Sequence, residues 1–174
     1  MGNTAEVVAR RYNVTREYQD EFSLESQKRT AAAQQAELFA DEIVPMKTRM
    51  QKVIDKETGE TEIVDAECVG DECNRPDTTL EGLAKLPPVF EENGTVTAGT
   101  SSQITDGAAA MLLMSYEKAQ ELGLKPRARI VSMAVAGVDA AIMGYGPVPA
   151  TKKALKRAGL DTTDIDYWEL NEAF

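Results

Sequence analysis

A chain of 174 residues with 43% hydrophobic and 28% charged side chains carries enough apolar material for one core or for pieces of two, and is too apolar for a disordered tail. Its 19 Lys and Arg against 29 Asp and Glu leave a net charge of -10, which repels a phosphate backbone and excludes nucleic acid as an expected partner. The absence of histidine removes the commonest general base, the Ser-His and Cys-His pairs and most zinc sites. No apolar run reaches the roughly 18 to 20 residues of a membrane span, and the opening Met1-Gly2-Asn3-Thr4-Ala5-Glu6 lacks the basic and apolar regions of a secretion signal. Cys68 and Cys73 cannot by themselves build a tetrahedral zinc site, so no metal is expected. Glu67, Asp71 and Glu72 beside them suppress the thiolate, which makes both thiols loop residues rather than nucleophiles.

In chain order, a short helix follows Asn3, a cap candidate with Glu6 at the favourable third position, and a longer helix starts near Thr15 and holds Tyr18, Phe22 and Ala31 to Ala33. Ile43 to Met46 and Lys52 to Val64 read as strand segments, with Lys56-Glu57-Thr58-Gly59 as the turn of an exposed hairpin. A further helix begins at Thr78, where Glu81 completes a capping box, and Pro87-Pro88 stops it near Leu86. Residues 1 to 92 hold 20 acidic and 11 basic side chains, and residues 93 to 174 hold 9 and 8. The break marks two environments.

After it, Thr95 to Ala98 reads as a short strand, and Ala108 to Met114 is a continuous apolar run of the kind buried on both faces of a sheet. Glu117 to Leu122 is a helix closed by Gly123 and Pro126, and Arg129 to Val138 alternates as a strand. Pro149 suits a first helical turn, Lys152, Lys153, Lys156 and Arg157 crowd the end where the helix dipole favours cations, and Gly159 is the stop. Ile165 to Leu170 is the next strand. The succession predicts a layered α/β core entered from a mostly helical, acidic accessory region. Because the last strand runs into Asn171-Glu172-Ala173-Phe174 without a closing helix, the layers are expected to be incomplete and the sequence to be a piece of a larger fold.

Four motifs, Gly94-Thr95-Val96-Thr97-Ala98-Gly99, Asp106-Gly107-Ala108-Ala109-Ala110, Met143-Gly144-Tyr145-Gly146-Pro147-Val148-Pro149-Ala150 and Asn171-Glu172-Ala173-Phe174, together resemble the thiolases. The opening Met1 to Glu6 and Arg75-Pro76-Asp77-Thr78-Thr79-Leu80-Glu81-Gly82-Leu83-Ala84-Lys85-Leu86 are similar to the loop domain of that family. The resemblance implies part of a layered αβαβα core with a mostly helical loop domain. Residues 1–92 would be most of the loop domain, 93–122 the end of the N-terminal half and 124–174 the start of the C-terminal half. It further implies an acyl-CoA acyltransferase that cleaves a 3-ketoacyl-CoA with coenzyme A or runs the reverse Claisen condensation. Coenzyme A and acyl-CoA would be substrates, with no cofactor, and the complete protein a homodimer or homotetramer. A cytoplasmic location is expected, with mitochondria and peroxisomes left open.

The same resemblance implies roles for single residues. Asn171 would hold a water donating to an enolate oxygen, which suits an amide because it orients water without titrating. Met1 and Met143 would line the acyl and pantetheine channel, Ser102 would touch pantetheine, and Ala98 would let the ligand pass close to backbone. Arg75 would sit near the adenine and phosphates, and Ala173 with Phe174 would wall the channel. The nucleophilic Cys, the His motif and the second Cys of the family have no counterpart within these residues, so this chain alone is expected to be inactive. Thr100, Gln103 and Thr105 stand where many thiolases carry Asn, Gly and Asn, and Gly82 where some carry a CoA-contacting serine. Ser132-Met133-Ala134-Val135-Ala136-Gly137 and Ile142 to Pro147 look most like the fatty-acid-oxidation branch. The alternative is a non-catalytic CoA-binding or subunit-interaction module of the same fold.

Overall fold

The computed structural model describes all residues, Met1–Phe174. They form two compact units, one of Met1–Gln19 with Leu86–Phe174 and one of Asp20–Lys85.

In the first unit, α1 spans Gly2–Tyr12 with Met1 as its N-cap. The expected cap, Asn3, lies inside the helix, and the Thr4 hydroxyl instead donates to the Met1 carbonyl at 2.6 Å. The helix buries Gly2, Glu6 and Ala9, one stripe at the i, i+4, i+7 spacing of a packed face. It stops at Asn13 in the left-handed conformation (φ 54°, ψ 41°), which Asn tolerates better than most side chains. Helix α2, Arg16–Gln35, starts where the sequence places it, and Tyr18 N–H donates to Thr15 Oγ1 at 3.2 Å.

The second unit holds most of α2 and an antiparallel hairpin of β1, Met46–Val53, with β2, Thr61–Cys68, in the register Met50 to Val64. The hairpin was expected, but its first strand begins where the predicted one ends. Lys47 faces Glu67 and Arg49 faces Asp65 across it, opposite-charge pairs that favour this register. The turn is closed by Gly59 at φ 73°, a conformation that only glycine adopts without strain. Helix α3, Leu80–Ala84, is capped by Thr79, whose side chain accepts from Gly82 N–H at 3.0 Å. The capping box expected from Thr78 and Glu81 does not form, because the cap falls one residue later and puts glycine at the third position.

Back in the first unit, α4 spans Tyr116–Glu121 with Ser115 as cap. A 3-10 segment covers Ala140–Tyr145, α5 covers Pro147–Ala158, and a last 3-10 turn covers Thr162–Asp164. Helix α5 ends at Gly159 with φ 69°, as expected. Its cations do more than answer the helix dipole, since Lys153 Nζ donates to Val135 O at 3.2 Å and Arg157 Nη1 to Met133 O at 2.7 Å. Carbonyls two residues apart share one side of an extended chain, so α5 lies along residues 132–135 as a helix lies along a strand, with Ser132 Oγ donating to Ala154 O at 2.9 Å.

The strands expected at 95–98, 108–114, 129–138 and 165–170 are not formed as a sheet. Val89 N–H donates to Val96 O at 3.0 Å beside a single bridge between Pro88 and Thr97, and the other three segments have no ladder partner. Met111, Leu112 and Val135 are 81%, 79% and 83% exposed, the reverse of burial on both faces. An apolar run has strand potential, but a strand exists only where a neighbour accepts its hydrogen bonds and layers cover its faces. No helix of the structure is long and apolar enough to cross a membrane.

The hairpin turn gives a pH prediction. Asp55 Oδ1 accepts from Glu57 N–H at 2.7 Å and Thr58 N–H at 3.4 Å. The Glu57 amide, then the Thr58 side chain and amide, hold the Asp55 carboxyl below the usual aspartate range. A depressed carboxyl stabilises the turn above its unfolded-state pKa, and this is lost as pH falls through the lower folded-state value. Amide protection at Glu57 and Gly59 is therefore expected to survive mild acid and collapse only in strong acid, whereas Asp55→Ala lowers it from neutral pH through mild acid and shows no further acid-dependent loss. Equal acid loss in both proteins would show that Asp55 does not set the turn.

Candidate functional site

The site is built outward from α1. Glu6 is 1% exposed and its carboxylate faces the loop at Gly94-Thr95-Val96. Oε1 accepts from Thr95 N–H at 2.9 Å and Val96 N–H at 2.8 Å, and Oε2 from Thr95 N–H at 3.0 Å and the Thr95 hydroxyl at 3.1 Å. A Cβ at Gly94 would collide with Oε1 and lie 3.1 Å from Glu91 O, so glycine is the residue that lets the carboxylate reach the amides. Gln19 Nε2 adds a 2.9 Å bond to Thr95 Oγ1, Arg16 Nη2 a 3.0 Å bond to Leu86 O, and Arg10 an exposed ion pair with Glu91.

Beyond Val96 the chain is held by its own hydroxyls. Thr97 is fully buried, its N–H donates to Thr100 Oγ1 at 3.0 Å, its Oγ1 accepts from Gly99 N–H at 3.2 Å, and its carbonyl accepts from Ser101 Oγ at 2.8 Å. Ala98 and Ser102 stay exposed on this supported loop. Ser102 N–H donates to Ala173 O at 3.1 Å, and the rings of Phe174 and Phe90 meet edge to face with centroids 5.9 Å apart, the arrangement that ring quadrupoles favour. Phe90 in turn lies against Gly2, where any Cβ would fall inside its ring.

The structure therefore brings Ser102, Ala173 and Phe174 together and sets Phe90 and Gly2, next to Met1, beside them. Met1 is 68% and Met143 42% exposed, and Met143 lies in the 3-10 segment that packs on α1, whose Tyr12 stacks on Tyr145 at 5.5 Å and 12°. Asn171 is exposed on the unpaired chain just before Ala173. Arg75 belongs to the Asp20–Lys85 unit, exposed, on a loop that α2 holds. Its N–H donates to Gln27 Oε1 at 2.7 Å, Asn74 Nδ2 donates to Gln34 Oε1 at 3.0 Å, and Gln34 Nε2 donates to Asp71 O at 3.4 Å. Gln27 and Gln34 lie two helical turns apart on one face, so a single helix fixes both ends of that loop. Cys68 and Cys73 are exposed and not disulfide-bonded.

Sequence reasoning missed the burial of Glu6, read as a cap residue, gave no part to Phe90 or Tyr12, and quoted Tyr145 only within a motif. For Glu6 a signal existed: a carboxylate on the stripe of Gly2 and Ala9 is on the face that packs, and a buried carboxylate needs a nest of donors. The aromatic partners are separated by 84 and 133 positions in sequence, which no local pattern reports.

Residues 1–117 match the family described as thiolase, N-terminal domain, and residues 124–174 match thiolase, C-terminal domain. A 3-ketoacyl-CoA thiolase of Marinobacter nauticus is 57% identical over 175 residues and one of a Psychrobacter species 58%, each covering 100% of this chain and 42% of the relative. Among solved structures, the acetyl-CoA acetyltransferase of Bacillus anthracis superposes with a TM-score of 0.88 at 43% identity, over 100% of this chain and 41% of that one. Human mitochondrial 3-ketoacyl-CoA thiolase does so with a TM-score of 0.86 at 44% identity, over 99% and 41%. The chain belongs to the thiolase family, and its fold is a partial thiolase-type α/β fold. It spans 42% of the length of the relatives it matches.

The Glu6 cradle is testable directly. Glu6→Ala leaves two backbone donors without acceptors beside a new cavity, and urea unfolding of the chain is expected to show a loss of roughly 3 kcal/mol. A loss under about 1 kcal/mol would mean that the hydroxyl network holds the loop without it.

Proposed function

We propose that this chain serves an acyl-CoA C-acyltransferase of the fatty-acid-oxidation branch, contributing substrate contacts and one donor to thiolysis of a 3-ketoacyl-CoA or its reverse, the Claisen condensation. The observation that carries this reading is the hydrogen bond between Ser102 N–H and Ala173 O, which ties the loop that follows the Gly94–Gly99 motif to the Asn171–Phe174 motif, beside the pair Phe90 and Phe174. Relatives 55–58% identical bear the name 3-ketoacyl-CoA thiolase, which supports the oxidation branch over the acetoacetyl-CoA branch. In terms of domains, residues 1–92 act as most of the loop domain, 93–122 end the N-terminal half and 124–174 begin the C-terminal half.

In thiolysis a cysteine thiolate attacks the ketone, the bond between the α and β carbons breaks, and acetyl-CoA leaves as its enolate before coenzyme A takes the acyl group from the enzyme thioester. Such a step needs a thiolate, a base and donors aimed at the oxygens that become anionic. This chain has no histidine, and its two exposed thiols sit among acids, so the thiolate and the base are assigned to residues beyond those described here. Its part is binding and donation. Ala98 and Ser102 meet pantetheine, Met1 and Met143 line the channel, Ala173 and Phe174 wall it, Arg75 faces the phosphates, and Asn171 orients a water toward the enolate oxygen. Coenzyme A and acyl-CoA are substrates, no metal or prosthetic group takes part, and the complete protein works as a cytoplasmic homodimer or homotetramer.

The test is made in a complete thiolase carrying this sequence. Asn171→Ala is expected to lower kcat, and kcat/KM with it, on the order of 10²-fold, with CoA binding nearly intact, because the donor acts where charge develops. A loss confined to KM would assign Asn171 to binding instead.

Arg75→Ala is expected to raise KM for CoA substrates with kcat little changed, the signature of uniform binding lost. An unchanged KM at low salt would remove Arg75 from the site.

A further inference from the structure

Met143 occupies the least self-sufficient part of the site. Its 3-10 segment, Ala140–Tyr145, has no buried residue and is broken at Ile142 (φ -126°, ψ 36°), and 3-10 hydrogen bonds are poorer than those of an α-helix. At its start Asp139 Oδ1 accepts from Ala141 N–H at 3.0 Å, and at its end Gly146 N–H donates to Met143 O at 2.9 Å. Those bonds fix the ends along the chain but supply no lateral support. Lateral support comes mainly from α1, whose packing on the segment includes the stack of Tyr12 on Tyr145, with a smaller contact from α5. Tyr12 is the last residue of α1, and Val14 N–H donates back to Ala9 O at 2.9 Å around the left-handed Asn13, so the direction of its side chain is set by the helix terminus. The other end of α1 carries Met1.

We propose that Tyr12 is a positioning residue that, through its stack on Tyr145, sets the place of Met143 relative to Met1 and thereby the length of acyl chain that the channel admits. This rests on the reading of Met1 and Met143 as channel residues given under Proposed function. Methionine on its own specifies length poorly, because its unbranched thioether adapts to whatever space it is given. A methionine on a weak turn becomes a selective wall only when the turn is fixed, and the aromatic stack fixes it. Tyr12 touches no substrate in this scheme and needs no hydroxyl, so the ring alone carries the effect.

The experiment compares kcat/KM for acetoacetyl-CoA and 3-ketohexadecanoyl-CoA in a complete thiolase carrying this sequence. Tyr12→Leu is expected to change the ratio of the two by about tenfold or more, the scale on which a pocket senses added methylenes, with kcat for the preferred substrate kept within about twofold. Tyr12→Phe, which keeps the ring, is expected to retain the parental ratio. Tyr145→Leu removes the other half of the stack and must give the same shift, so the test stands if one of the two leucine variants fails to fold. Met143→Ala separates the two levels of the argument. If it shifts the ratio and neither leucine variant does, the positioning role of Tyr12 is overturned while the channel reading stands. If Met143→Ala leaves the ratio unchanged, the channel reading itself falls, and the role of Tyr12 falls with it.

Discussion

The buried carboxylate of Glu6 is the constraint on which the first unit depends. A carboxylate removed from water costs several kcal/mol unless it is partnered, and here its direct hydrogen-bond partners are two peptide N–H groups and one hydroxyl, with the Arg10 charge acting on it from outside. That solution demands a particular backbone. The loop must turn its amides of residues 95 and 96 toward α1, and Gly94 must carry no side chain. Once this is satisfied, α1 and the loop behave as one piece, because withdrawing the carboxylate would strand its donors as well as itself. Helix α1 then acts as a ruler, with Gly2 under Phe90 at one end and Tyr12 on Tyr145 at the other.

Rigid support and the exposed candidate contacts are separated in this unit. Thr97 is buried and spends its amide, carbonyl and hydroxyl on its neighbours, whereas Ala98 and Ser102 beside it are exposed. The Asp20–Lys85 unit repeats the arrangement, with Gln27 and Gln34 of α2 holding the loop that presents Arg75. A proposed ligand contact held this way would lose little entropy on binding, because its loop is ordered beforehand. A helix glutamine suits the task, since one side chain both donates and accepts and Gln34 does both at once.

How much of this could be read from residues alone follows from the range of the interactions. The helices were legible because their signals are local: Thr15 before α2, Gly123 after α4 and Gly159 after α5 act within a turn of where they stand, although α5 starts at Pro147, two residues before the Pro149 expected in its first turn. The hairpin was legible from its turn, though not its strand bounds, which depend on cross-strand pairing. The strands at 108–114, 129–138 and 165–170 were misread as paired, since alternation and apolarity report what a segment could bury but not whether a neighbour is there to bury it. Glu6 was misread for the opposite reason. Its distance from Asn3 fits a capping box, and the local rule hid a long-range one. The family resemblance singles out Ser102, Ala173 and Phe174, but not that a main-chain bond joins the first two or that Phe90 meets the third.

The chemical character of the candidate contacts has a consequence for the proposed acyl transfer. Methionine, serine, alanine, phenylalanine and an asparagine amide do not titrate in the working range, and an arginine near phosphates keeps its charge throughout it. Every donor and wall placed on this chain therefore has the same strength in mild acid and in mild base. A nucleophilic thiolate and its base, by contrast, must change protonation within the catalytic cycle. On the proposed reading, any pH dependence of the chemical step would belong to those titrating groups and not to the contacts assigned to this chain. That division suits a reaction run in either direction: the enolate oxygen meets a neutral donor whichever way the proton moves, and the donor has no protonation state that favours cleavage over condensation.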